Sequence, residues 1–156
     1  MSLPVLLVLE DDEAARERLE GQLVQRYGRD YRVEARASGE AAVAGLEELA
    51  EVGADMALLL VGRSSAAAGD GALLERVREL HPHAKRALVV PYAAWLDDAT
   101  AAALRDALAR GRIDHYVPEP IGPRDEVFHE AVSSFLLEWA RDRKAVPQTV
   151  HIVGES

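Results

Sequence analysis

Three adjacent acids, Glu10, Asp11 and Asp12, follow directly on the apolar run VLLVL and lead into a helix-forming stretch. Carboxylates in such a place can do two kinds of chemistry. They hold a hard divalent cation, or they raise one another's pKa and handle protons. Either role needs companions from elsewhere in the chain. Other candidates are thinner. His81 and His83 flank a proline, and neither His115 nor His129 is placed by sequence to join them, so the HPH reads as a surface turn rather than a metal site. The GDG of residues 69–71 is no dinucleotide fingerprint, because that motif must follow the first strand. The absence of cysteine removes disulfides, thiolate metal sites and cysteine catalysis.

The elements that must position these acids are legible as an alternation of strand and helix. The first strand, about Pro4 to Leu9, is a continuous aliphatic run of the kind buried on both faces. A helix follows, capped by Asp11 or Asp12, with Ala15, Leu19, Leu23 and Tyr27 on one face. YRVEA, residues 31–35, alternates as a half-exposed strand, and Ser38 caps a second helix with the stripe Ala42, Val43, Leu46, Leu49 and Ala50. MALLLV, residues 56–61, is a third strand, again wholly apolar. A small-residue loop over 62–71 leads to a third helix carrying Leu73, Leu74, Val77 and Leu80, with Asp70 as its expected cap. ALVV, residues 87–90, is stopped by Pro91, and the helix from about Asp98 to Arg110, capped by Asp97 or Asp98, has a mostly alanine face that packs lightly and suits a partner. DHYVPEP is a fifth strand, and its Pro118 belongs at a sheet edge. The last helix runs from about Arg124 to Arg143, and TVHIVGES after Pro147 starts like another strand.

Five strands alternating with five helices predict an α/β fold, a doubly wound parallel sheet with strand order 2-1-3-4-5. Such a sheet gathers its working groups at the carboxyl ends of its strands, which is where Glu10, Asp11 and Asp12 lie. At 156 residues and 49% hydrophobic content the chain suits one globular domain. The formal charge of -9 argues against nucleic acid and anionic membrane surfaces as partners. No apolar run approaches the roughly 20 residues that span a bilayer, and the start lacks the basic region of a secretion signal. The expected location is the cytoplasm.

EDDEAARERL after the first strand, the apolar third strand ending in a loop, and YVPEP at the fifth strand together resemble the receiver domain of two-component response regulators, a flavodoxin-like fold. The resemblance covers about Val5 to Arg141. It implies a magnesium ion held by an acidic pair and by an aspartate that ends the third strand and accepts a phosphoryl group. It further implies a Ser or Thr ending the fourth strand and a Lys before a Pro ending the fifth, which grip the phosphoryl oxygens. Magnesium wants hard oxygen ligands, and phosphoryl transfer needs cations around spreading negative charge.

On that pattern Glu10 and Asp11 match the acidic pair, Tyr116 the aromatic switch position and Pro120 the proline. The acceptor position falls on Gly62, the hydroxyl position on Val90 and the lysine position on Glu119. Glycine and valine offer neither nucleophile nor donor. Glu119 inverts a charge that, for a unit pair about 4 Å apart at an effective dielectric of about 20, is worth roughly 4 kcal/mol. Asp55 precedes the third strand and lies at the wrong end of the sheet, and Ser64 and Ser65 need a separate kinase.

The implied function is that of a pseudo-receiver: a phosphorylation-independent interaction or regulatory module in signal transduction, with no catalytic residue of its own. It occupies residues 4–144, with 145–156 a linker or the start of a following domain. Glu10, Asp11 and Glu119 are the acids that could still converge on magnesium or calcium. The expected partner is another protein or a fused output domain. The resemblance also suggests a homodimer through the fourth helix, fifth strand and fifth helix, with Trp95 near the partner face. Two rivals stand beside this reading. One is a receiver phosphorylated at a non-standard residue. The other is a regulatory N-terminal domain of a thioredoxin-reductase-like flavin oxidoreductase, because RVRELHPHAKRALVVPYA and RIDHYVPEP are similar to receivers fused ahead of such enzymes.

Overall fold

The computed structural model describes residues 3–62, 71–91, 97–111, 113–120 and 126–155, the side chains of 71, 72, 100, 104, 107 and 144–155 excepted. Its strands are β1 (Val5–Leu9), β2 (Arg32–Arg36), β3 (Met56–Val61), β4 (Lys85–Val90) and β5 (His115–Pro118). They pair in parallel in the order β2-β1-β3-β4-β5, as expected. The helices are α1 (Glu13–Tyr27), α2 (Gly39–Glu51), α3 (Gly71–Leu80), α4 (Asp98–Ala109) and α5 (Glu126–Glu155).

The aliphatic runs dictate the layers. Side chains alternate across a strand, so β1 sends Leu6 and Val8 to one face and Val5, Leu7 and Leu9 to the other. The first set packs with Leu58 and Leu60 against Leu19, Leu23 and Tyr27 of α1 and Phe128, Val132 and Phe135 of α5. The second packs with Leu59 and Val61 against Leu46 and Leu49 of α2 and Leu73 and Val77 of α3. Every residue of β1 and β3 is buried. Each such leucine withdrawn from water contributes about 1.5–3 kcal/mol, which is why these two strands lie in the middle of the sheet.

Local signals set the ends of the elements. Asp12, not Asp11, caps α1: its Oδ2 accepts the Ala15 N–H at 2.9 Å. Ser38 caps α2 through the Ala41 N–H at 3.2 Å. Gly53 (φ 71°) and Gly111 (φ 71°) adopt the left-handed conformation that lets α2 and α4 stop and turn back toward the sheet. The Gly111 carbonyl then accepts from Arg86 Nη2 at 2.7 Å and from Arg78. β5 is an edge strand ending at Pro118.

Two expectations about lightly built segments have different outcomes. Among the described side chains of α4 none is buried; those at 100, 104 and 107 lie outside the described residues, and with them the expectation of a lightly packed alanine face. The strand expected at residues 149–153 does not form, because the α5 backbone stays helical through Pro147 to Glu155. Strand propensity of valine, isoleucine and threonine is a context-dependent preference, whereas each residue that extends an established helix, apart from Pro147 with no N–H to give, adds one hydrogen bond. α5 is well established by then: Lys85 bonds Asp142 at 2.6 Å, and Arg143 pairs with Asp55 beside the start of β3. Asp70 and Trp95, and with them their expected roles as helix cap and interface aromatic, lie outside the described residues. Among the described residues no helix is long and apolar enough to cross a membrane.

Candidate functional site

The carboxyl ends of β1 and β3 define the site. Their register pairs Leu9 with Val61, and the Gly62 N–H donates to the Leu9 carbonyl at 2.7 Å. Gly62 therefore lies across from the residue that follows Leu9, which is Glu10. The Glu10 N–H donates to the Arg36 carbonyl at 3.1 Å, tying the same point to β2.

Glu10 does not reach into solvent as a free metal ligand would. It is 1% exposed. Its Oε2 accepts the Asp12 N–H at 3.1 Å, and its own carbonyl accepts Arg16 Nη1 at 3.0 Å. Its carboxyl lies against Gly62: a Cβ placed on that glycine would fall 2.1 Å from Glu10 Oε1 and 2.6 Å from Cδ. Burial raises the Glu10 pKa, the Asp12 N–H opposes that rise, and the neighbouring Asp11 carboxyl reinforces it.

The other expected positions lie at the ends of β4 and β5. Val90 is 5% exposed and ends β4, where it pairs with Pro118. The Glu119 N–H donates to the Val90 carbonyl at 2.8 Å. Glu119 and Tyr116 are half-buried, Pro120 is buried and Asp11 is exposed. Among the described residues no three His, Asp or Glu side chains are grouped to hold one metal ion, so Glu119 does not complete a ligand set with Glu10 and Asp11. The residues present do not fit a magnesium ion in this arrangement. One of the two matched carboxyls is turned inward with its ionised form disfavoured by burial, and the third ligand position is a glycine. Ser64 and Ser65 lie outside the described residues.

The histidines sit in separate surroundings. His81 Nε2 is 3.0 Å from the Leu46 carbonyl, and His115 Nε2 is 3.2 Å from Glu138 Oε1. His129 is buried between α1 and α5, its Nε2 2.7 Å from Gln22 Oε1. A polar cavity of about 340 Å³ opens near the start of β4, lined by Arg78, Lys85, Arg86, Asp114 and Asp142 among others. Its charges are largely spent within the protein: Arg86 Nε lies 3.3 Å from Asp114, and Lys85 bonds Glu138 at 3.1 Å and Asp142 at 2.6 Å.

No protein-family model matches the sequence, and no curated protein sequence matches it. Solved structures do match in shape. A receiver domain protein (CheY-like) from Methanospirillum hungatei JF-1 is 24% identical, covers 90% of this chain and 99% of its own, and superposes with a TM-score of 0.62. The signal receiver domain of an HD domain-containing protein from Pseudomonas fluorescens Pf-5 is 17% identical, over 92% of this chain and 94% of that one, with a TM-score of 0.68. This chain has the receiver fold. The same receiver fold extends to a structure described as an adenylate cyclase from Rhodopirellula baltica, which is 13% identical over 99% of this chain and 100% of that one, with a TM-score of 0.67.

Within the receiver fold, the tip of β3 is where Gly62 stands. The sequence showed the glycine but not what covers it. Glu10 was legible as one of an acidic pair, and its inward turn was not. The available signal was the pairing of a long acid after β1 with a residue lacking a side chain after β3.

Proposed function

We propose that the chain is a receiver-fold module of signal transduction that works without being phosphorylated, as a protein-interaction or regulatory domain. The observation that carries this reading is Gly62 at the tip of β3 with the Glu10 carboxyl lying over it. Phosphoryl transfer needs a nucleophile at that tip and cations around the transferred group. The chain offers a glycine there, a valine at Val90 and a carboxylate at Glu119.

The partner is a protein, either separate or fused as an output domain; one structure of the same fold is itself the receiver part of an HD domain-containing protein. The face built from α4, β5 and α5 suits that partner or a second copy of the chain, since none of the described α4 side chains is buried. The test is incubation of the chain with magnesium and acetyl phosphate, or with magnesium and beryllofluoride. No gain in mass and no shift of the Asp11, Asp12 and Gly62 amide resonances is expected. A phosphate adduct, on Ser64, Ser65 or any other residue, refutes the reading.

A further inference from the structure

Position 62 is a glycine, yet the space its side chain would claim is already filled. A Cβ there would overlap the Glu10 carboxyl, at 2.1 Å from Oε1 and 2.6 Å from Cδ, and press on its Cβ at 3.0 Å. The side chain is fixed in that course. Its Oε2 holds the Asp12 N–H, its backbone is bonded to Arg36 and Arg16, and the β1–β3 register leaves Glu10 facing Gly62. Turning the carboxyl outward would give up the Asp12 N–H at the first turn of α1.

Building on the proposal that the domain works without phosphorylation, we infer that Glu10 is a built-in plug. Its carboxyl permanently occupies the place of the acceptor side chain and holds the tips of β1 and β3 in a single arrangement. The surface above the sheet is constitutive rather than switched. Glycine at position 62 is then the partner that the plug requires. An aspartate restored at that position cannot take up its place until residue 10 is shortened as well.

The experiment compares full-length Gly62→Asp with Gly62→Asp/Glu10→Asp, using magnesium ion alone as the probe and the Asp11 and Asp12 amide resonances as the readout. The double variant is expected to bind magnesium at least about tenfold more tightly than the single one, a difference of about 1.4 kcal/mol. Equal affinities of the two variants overturn the plug. Since either variant could fold poorly, the unaltered chain supplies a second measurement. A nuclear Overhauser contact between the Glu10 γ-methylene and the Gly62 α-protons is expected, and its absence in the assigned spectrum overturns the inference. Phosphoryl uptake by the unaltered chain would overturn the underlying reading instead, whatever the variants do.

Discussion

Gly62→Ala is the smallest change that tests the packing at the tip of β3. The added methyl would fall 2.1 Å from Glu10 Oε1, well inside van der Waals contact. Overpacking of this kind costs about 1–3 kcal/mol. Replacing glycine also removes freedom from the unfolded chain, which returns about 0.4–1 kcal/mol; Gly62 is not among the positive-φ glycines, so no backbone strain is added. The net expectation is a loss of about 0–2.6 kcal/mol. With Glu10→Ala present the clash is gone, and the same Gly62→Ala change should be neutral or stabilising by up to about 1 kcal/mol. Urea unfolding of the four proteins at neutral pH, with equal m-values, gives the coupling directly as a double-mutant cycle. A coupling of about 1–3 kcal/mol is expected. If Gly62→Ala has the same effect in both backgrounds to within about 0.5 kcal/mol, the carboxyl does not occupy that space and the account of the site fails.

Two further outcomes follow from the same physical terms. The Glu10 pKa is raised in the folded state, chiefly by burial, so the stability it confers is complete below its unfolded pKa and is lost as pH rises through the folded one. Glu10→Gln keeps an acceptor for the Asp12 N–H and cannot ionise. It should be more stable than the unaltered chain at neutral pH, with the advantage fading in acid; an advantage that instead grows on acidification contradicts this. Arg86 is 4% exposed, and its guanidinium lies 3.3 Å from Asp114 and 2.7 Å from the Gly111 carbonyl. Arg86→Met should cost about 1–3 kcal/mol, because the Gly111 carbonyl at the end of α4 loses a donor and Asp114, which keeps the residue 86 N–H, loses its cation. For a chain of this length that lowers Tm by roughly 2–12 °C, and a loss under about 0.5 kcal/mol shows that the pair is not what anchors the turn.

How far the sequence reaches differs from element to element. The unbroken aliphatic runs of β1 and β3 placed those strands centrally, since only a strand covered on both faces can carry such a run. Ser38 and the acids after β1 marked helix starts because a cap depends on a side chain and an amide three residues away. Local signals failed where a neighbour's structure outweighed them. Residues 149–153 favour a strand by composition, yet they continue a helix already seated by Phe128, Val132 and Trp139.

What this sequence determines by itself is therefore the layered sheet, its strand order and the residue types that follow or end its strands, Gly62, Val90 and Glu119 among them, because residue type and local period suffice for those. Tertiary structure alone decided where the Glu10 carboxyl goes and that His81, His115 and His129 take separate partners. Each of these depends on which atoms from distant parts of the chain come within a few ångströms of one another. That proximity comes from strand register and helix packing, and neither residue type nor spacing along the chain encodes it locally.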